Sequence, residues 1–111
     1  MIKITFNPKK YDIKITGHAN HGKKGEDIVC SAISALFYTL GESLYQAREM
    51  LDGDFIFEND NGKGHIWCRP KKGFEANVSL IWWTVMNGFD LVAKNYEKYV
   101  SLCVKGMKSE N

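Results

Sequence analysis

The chain has 111 residues, 44% of them hydrophobic and 25% charged, with a formal net charge of +2. That length holds one core and no second, and so slight a basic excess does not by itself argue for nucleic acid, which is not the expected partner, since phosphate-binding surfaces carry a dense basic stripe. No uninterrupted apolar run approaches the ~20 residues of a membrane span, and the first residues lack the apolar block of a secretory signal; the expected compartment is the cytoplasm, with no membrane partner.

Ile2, Ile4 and Phe6 alternate with polar residues until Asn7-Pro8-Lys9-Lys10 breaks the run. Tyr11, Ile13 and Ile15 resume it, so the pair is expected to form an antiparallel hairpin with one face buried. From Asp27 the period changes. Ile33, Leu36, Phe37, Leu40, Leu44, Ala47 and Leu51 follow three- and four-residue steps, predicting an amphipathic helix of about six or seven turns that Asp52-Gly53 ends. Phe55–Glu58 and His65–Arg69 flank the turn signal Asn59-Asp60-Asn61-Gly62, predicting a second hairpin. A second helix is expected from near Glu75 to about Glu97, with Val78, Ile81, Trp82, Val85, Phe89, Val92 and Tyr96 inward. Val100, Leu102 and Val104 alternate as a last strand.

The predicted order is β-β-α-β-β-α-β, an α+β fold with two long helices on a mostly antiparallel sheet. A single domain over 1–106 and a C-terminal tail over 107–111 are expected. Lys9-Lys10, Lys23-Lys24 and Lys71-Lys72 each fall at an expected turn and read as solvated loop lysines.

Three cysteines, an odd number, make no disulfide framework. Cys68 and Cys103 lie in apolar alternating stretches, where a buried thiol is common. Cys30 differs: it falls at the expected start of the first helix, among polar neighbours. Asp27 is a natural N-cap there, its carboxylate placed to accept from the N–H of Cys30. A thiol at a helix N-terminus beside an imidazole is favoured as thiolate, the better nucleophile. The N–H groups of Ile28 to Ser31 are candidates for holding an oxyanion.

His18, just past the second strand, is the preferred general base for Cys30. His21 is an alternative that sits in a loop too loose to hold a base in place. Asp27 is both a capping residue and a candidate third member orienting His18. The loop His21, Gly22, Lys23, Lys24, Gly25, with almost nothing apolar, is expected to be a mobile lid over the site. Two other patterns fail. Gly17 to Lys24 reads G-x-x-x-x-G-K-K and lacks the Ser or Thr of a phosphate loop. His65 and Cys68, three apart on a strand, point to opposite faces and make a poor start for zinc. No metal or cofactor is expected.

Gly17-His18-Ala19, Gly25, then Asp27-Ile28-Val29-Cys30-Ser31-Ala32 with Ser34, resembles the signature of the ribosomal-processing cysteine protease family. The similarity extends through Asp60-Asn61-Gly62 before His65 to Asn95-Tyr96 and the final strand. Ser31 stands where many relatives have alanine, and Trp82-Trp83 is bulky for the second helix. The resemblance implies a small homodimeric cysteine endopeptidase of Firmicutes and related bacteria, removing a short N-terminal extension from a large-subunit ribosomal protein after an aromatic residue; phage relatives are implied to trim capsid or scaffold proteins. By position it places the base on His18, the nucleophile on Cys30 and the aspartate on Asp27. Phe37 and Tyr38 are candidates for an aromatic pocket or for plain core. The rival reading is a non-enzymatic ribosome-associated or RNA-binding module, with loop lysines and aromatics such as Trp67 or Tyr99 stacking on bases.

Overall fold

The computed structural model of the chain describes residues 1–17 and 24–106, the side chains of 24–27 excepted. The elements are β1 (Ile2–Asn7), β2 (Asp12–Thr16), α1 (Lys24–Gln46), a 3-10 turn (Arg48–Met50), β3 (Ile56–Asp60), β4 (Lys63–Trp67), α2 (Glu75–Asn95) and β5 (Val100–Val104). The order and the α+β class are those expected from hydrophobic periodicity.

The strands form one sheet in the order β3-β4-β2-β1-β5. Among the described residues three neighbouring pairs are antiparallel, and β1 with β5 is the single parallel pair. Register aligns the apolar set of each strand: Phe6 lies opposite Ile13, and Ile13 opposite Ile66. With Ile2, Ile4, Ile15 and Val100 these make one buried face. Side chains alternate across a strand, so the opposite face carries Lys3, Lys14, Thr16, His65 and Ser101, exposed or half-exposed. On that face His65 Nε2 lies 2.9 Å from Asp12 Oδ2.

Both helices cover the apolar face. Val29, Ile33, Phe37, Leu40 and Leu44 of α1 are buried, spaced as one helical stripe. Val78, Trp82, Val85, Met86 and Phe89 do the same for α2. Trp82, 1% exposed, stacks on Phe6 with centroids 5.6 Å apart. Its indole N–H donates to the buried Cys68 sulfur at 3.3 Å.

Some boundaries differ from expectation. α1 starts at Lys24, not Asp27. Lys24 and Glu26 are straight-chain helix formers, and acidic residue types suit a first turn. The helix also ends at Gln46 rather than near Leu51. Leu51 is extended, forms a bridge with Pro70 and is buried there. Its burial comes from a β contact, so its helical spacing from Leu44 is incidental. Cys103 is exposed, not buried, because it points to the open face of β5 beside Thr5. The window Ile28–Gln46 is apolar enough for a membrane span by length and mean hydropathy, 1.3 over 19 residues. Glu42 and the hydroxyl residues keep it from being an unbroken apolar run, and its apolar side forms the core of the fold.

Candidate active site

Cys30 is the seventh residue of α1 and is half-exposed. It lines a depression of about 170 Å³ between the N-terminal half of the helix and one end of the sheet. From α1 come Cys30, Ile33, Ser34 and Phe37; from the sheet come Ile2, Ile15, Gly17, Asn59, Gly62, Lys63 and Gly64. The helical contribution follows from spacing, since Cys30, Ile33, Ser34 and Phe37 lie three and four apart and share one face.

Two glycines shape the floor. Gly64 sits opposite Ile15 on the helix-facing side, and a Cβ there would come within 2.9 Å of the Phe37 ring. The missing side chain lets Phe37 close the groove from above. Gly17 ends β2 with φ 114°, a left-handed value that other residues rarely adopt. Its N–H donates to the Gly62 carbonyl at 3.0 Å, tying the exit of β2 to the tip of the β3–β4 hairpin.

Of the expected site residues, His18, His21, Gly22 and Lys23 lie outside the described residues. Cys30 is on the groove wall. Lys24 and Gly25, expected within the lid, are already in the first turn of α1, so the connection that could act as a lid ends at Lys23. Asp27 is inside the helix, so the N-cap reading is corrected: the backbone turns helical three residues earlier. The oxyanion assignment changes with it. In a helix starting at Lys24 the N–H groups of Ile28 to Ser31 bond to carbonyls four residues back, and the dipole effect fades beyond the first turn. Any activation of Cys30 therefore falls to a side chain rather than to the helix end.

Sequence reasoning missed the contribution of the hairpin tip (Asn59 to Gly64). The turn motif was visible, but the β2–β4 pairing that carries it to the groove was not. Phe37 lines the groove and Tyr38 does not. Trp67 and Tyr99 are half-buried rather than exposed, and the Arg69 guanidinium lies 5.4 Å from the Trp67 ring centre. His65 and Cys68 fall on opposite faces of the sheet, as their spacing implies.

A half-exposed thiol set in the wall of an open groove, lined in about equal parts by polar and apolar surface on a two-layer α+β scaffold, fits a cysteine hydrolase. The family model described as "Cysteine protease Prp" matches residues 1–101, and the chain belongs to this family of cysteine proteases. It is 31% identical over 107 residues to the ribosomal processing cysteine protease Prp of Staphylococcus aureus (strain Mu50 / ATCC 700699), covering 94% of this chain and 97% of that one. Its fold is similar to a crystal structure of the essential ribosomal processing protease Prp from S. aureus in complex with a covalently linked product peptide, with TM-score 0.73 and 25% identity, covering 95% of this chain and 100% of that one. A second S. aureus structure, in complex with a substrate peptide, gives TM-score 0.69 at 25% identity over 94% of this chain and 97% of that one.

Proposed function

We propose that this cysteine protease is a processing endopeptidase that removes a short N-terminal extension from a large-subunit ribosomal protein, with Cys30 as nucleophile and His18 as general base. One observation carries the residue assignment: Cys30 and Gly17 line the same groove, and His18 is the residue that follows Gly17 in the sequence. The ribosomal substrate is supported by the names of the S. aureus relatives.

His18 takes the thiol proton as Cys30 Sγ attacks the carbonyl carbon of the scissile bond. The amide C–N bond breaks, and the imidazolium returns its proton to the departing amine. Water, deprotonated by the same imidazole, then hydrolyses the thioester and regenerates the thiol. Asp27, one helical turn before Cys30, serves as the residue orienting His18. Ile2, Ile15, Ile33 and Phe37 supply the apolar part of the lining, against which apolar side chains of the substrate would pack. The enzyme works as a homodimer in the cytoplasm, where thiols stay reduced.

Cys30→Ala is expected to abolish cleavage of an apolar, aromatic-containing peptide with far-UV circular dichroism and Tm unchanged; cleavage by that variant overturns the assignment. Iodoacetamide should modify Cys30 faster than Cys68 or Cys103 at about neutral pH, and His18→Ala should slow that reaction selectively. An unchanged rate would remove His18 from the mechanism.

A further inference from the structure

β3 is an edge strand, with β4 on one side and no strand on the other among the described residues. Its turn to β4 has two residues, Asn61 and Gly62, at φ 44° and 85°. Such a turn is flanked by a hydrogen-bonded pair, here Asp60 and Lys63, and the bonding direction alternates along the strand from there. The N–H and C=O groups of Phe57 and Asn59 therefore point away from the sheet.

The same strand leads out of the catalytic groove. Asn59 lines the Cys30 depression, while Phe57 and Phe55 line a second one, of about 280 Å³, with Tyr38 and Tyr45. The two share a wall. Phe37 of the first lies 5.0 Å from Phe57 and 6.0 Å from Tyr38 between ring centres. Asn59 Nδ2 donates to the Tyr38 hydroxyl at 2.6 Å. Tyr38 and Tyr45 are 51% and 50% exposed, a large aromatic area left in water beside an open strand edge.

Charge selects the occupant. Asp52, Asp54, Glu58 and Asp60 are all exposed and Glu42 lines the depression, while Lys63 opposite Asp60 and His65, 3.8 Å from the Glu58 carboxylate, offset part of that charge. No Lys or Arg lines the depression itself, and the Arg48 guanidinium lies over the Tyr45 ring at its rim, 4.3 Å from the centroid. A second copy paired through this edge would set like charges against each other. We propose that the β3 edge is an exosite for the substrate peptide, an inference that rests on the protease reading above. Peptide residues beyond the groove add to β3 as a further strand. An aromatic or large aliphatic side chain enters the Tyr38–Tyr45 depression, and neighbouring lysines or arginines meet the carboxylates. Asn59 and Phe57 are one strand step of about 7 Å apart, and Phe55 lies just before the strand, so the docked residue lies two to four positions from those in the groove.

The test uses a short fluorogenic peptide with one aromatic residue at the scissile bond, and the same peptide lengthened by Lys-Phe-Lys-Leu at either end. One lengthened peptide should show KM lowered about tenfold, a factor in line with burying one aromatic side chain, with kcat unchanged. The ratio to the short peptide should return to one in Tyr45→Ser, recover in Tyr45→Phe, shrink at high salt and vanish when the added amides are N-methylated. Fluorescence anisotropy on Cys30→Ala reads the same preference without cleavage. Preferred binding of the longer peptide with no cleavage by the wild-type protein would sink the catalytic reading and keep the exosite. Equal affinity for short and long peptides, a preference that survives in Tyr45→Ser, or a dimer that falls apart in Tyr45→Ser would each overturn the exosite.

Discussion

Gly17 combines a left-handed backbone, a hydrogen bond to the hairpin tip and a neighbour, the Met1 carbonyl, standing where a side chain would begin. Gly17→Ala is expected to cost about 1–3 kcal/mol and to lower kcat/KM further than that loss explains, because the next residue is His18. Urea denaturation and peptide cleavage check this; a variant as active and as stable as wild type would contradict it. Cys68 makes a different prediction. Burial pushes its thiol up from 9.0 to about 11, against the opposing pull of the Trp82 N–H. The folded state thus holds the proton more tightly than the unfolded chain. The associated stability is whole below pH 9.0 and is lost as pH rises through about 11, a loss on the order of 3 kcal/mol. Stability curves of wild type and Cys68→Ala should converge or cross over that window and run parallel below it. The contrast between half-exposed Cys30 and buried Cys68 was legible at this scale, because Cys68 lies in an apolar alternating stretch and Cys30 does not. The exposure of Cys103 was not, since alternation alone does not say which set of an edge strand faces the core.

α1 was the most legible element. The steps from Ile33 to Leu44 place one stripe on the sheet, and Leu40, fully buried on that stripe, should cost about 2–5 kcal/mol when cut to alanine. A loss below 1 kcal/mol in chemical denaturation would mean the helix packs otherwise. Its ends were harder to read. Asp27 is a good capping residue type, but a preference for caps does not forbid the helix from starting earlier. Leu51 keeps helical spacing yet is buried by an extended segment whose Asp52 N–H bonds to the Arg69 carbonyl at 2.7 Å. In the second hairpin the turn shrank to Asn61-Gly62, because Asn59 and Asp60 pair with Gly64 and Lys63 despite residue types that favour loops.

For the molecule as a whole, local patterns gave both hairpins and the strand count. The pairing of β2 with β4 was out of reach, since it joins segments about fifty residues apart and depends on how α1 folds back. The resulting order predicts a gradient in hydrogen exchange. Amides of β2, bracketed by β1 and β4, should exchange slowest, and the outward amides of Phe57 and Asn59 fastest among the strands. Uniform protection across β2 and β3 would argue against a free β3 edge.

The parallel pairing of β1 with β5 has a temporal side. Ile2 donates its N–H to the Tyr99 carbonyl at 2.7 Å and is in register with Val100, and the same Ile2 lines the cleft beside the thiol. Among the described strands, β1 therefore waits for β5, about ninety residues later, before its lateral support is complete. A growing chain short of Val100 has Cys30 but an unbraced floor beneath it, so the cleft takes its final shape only once β5 has joined β1.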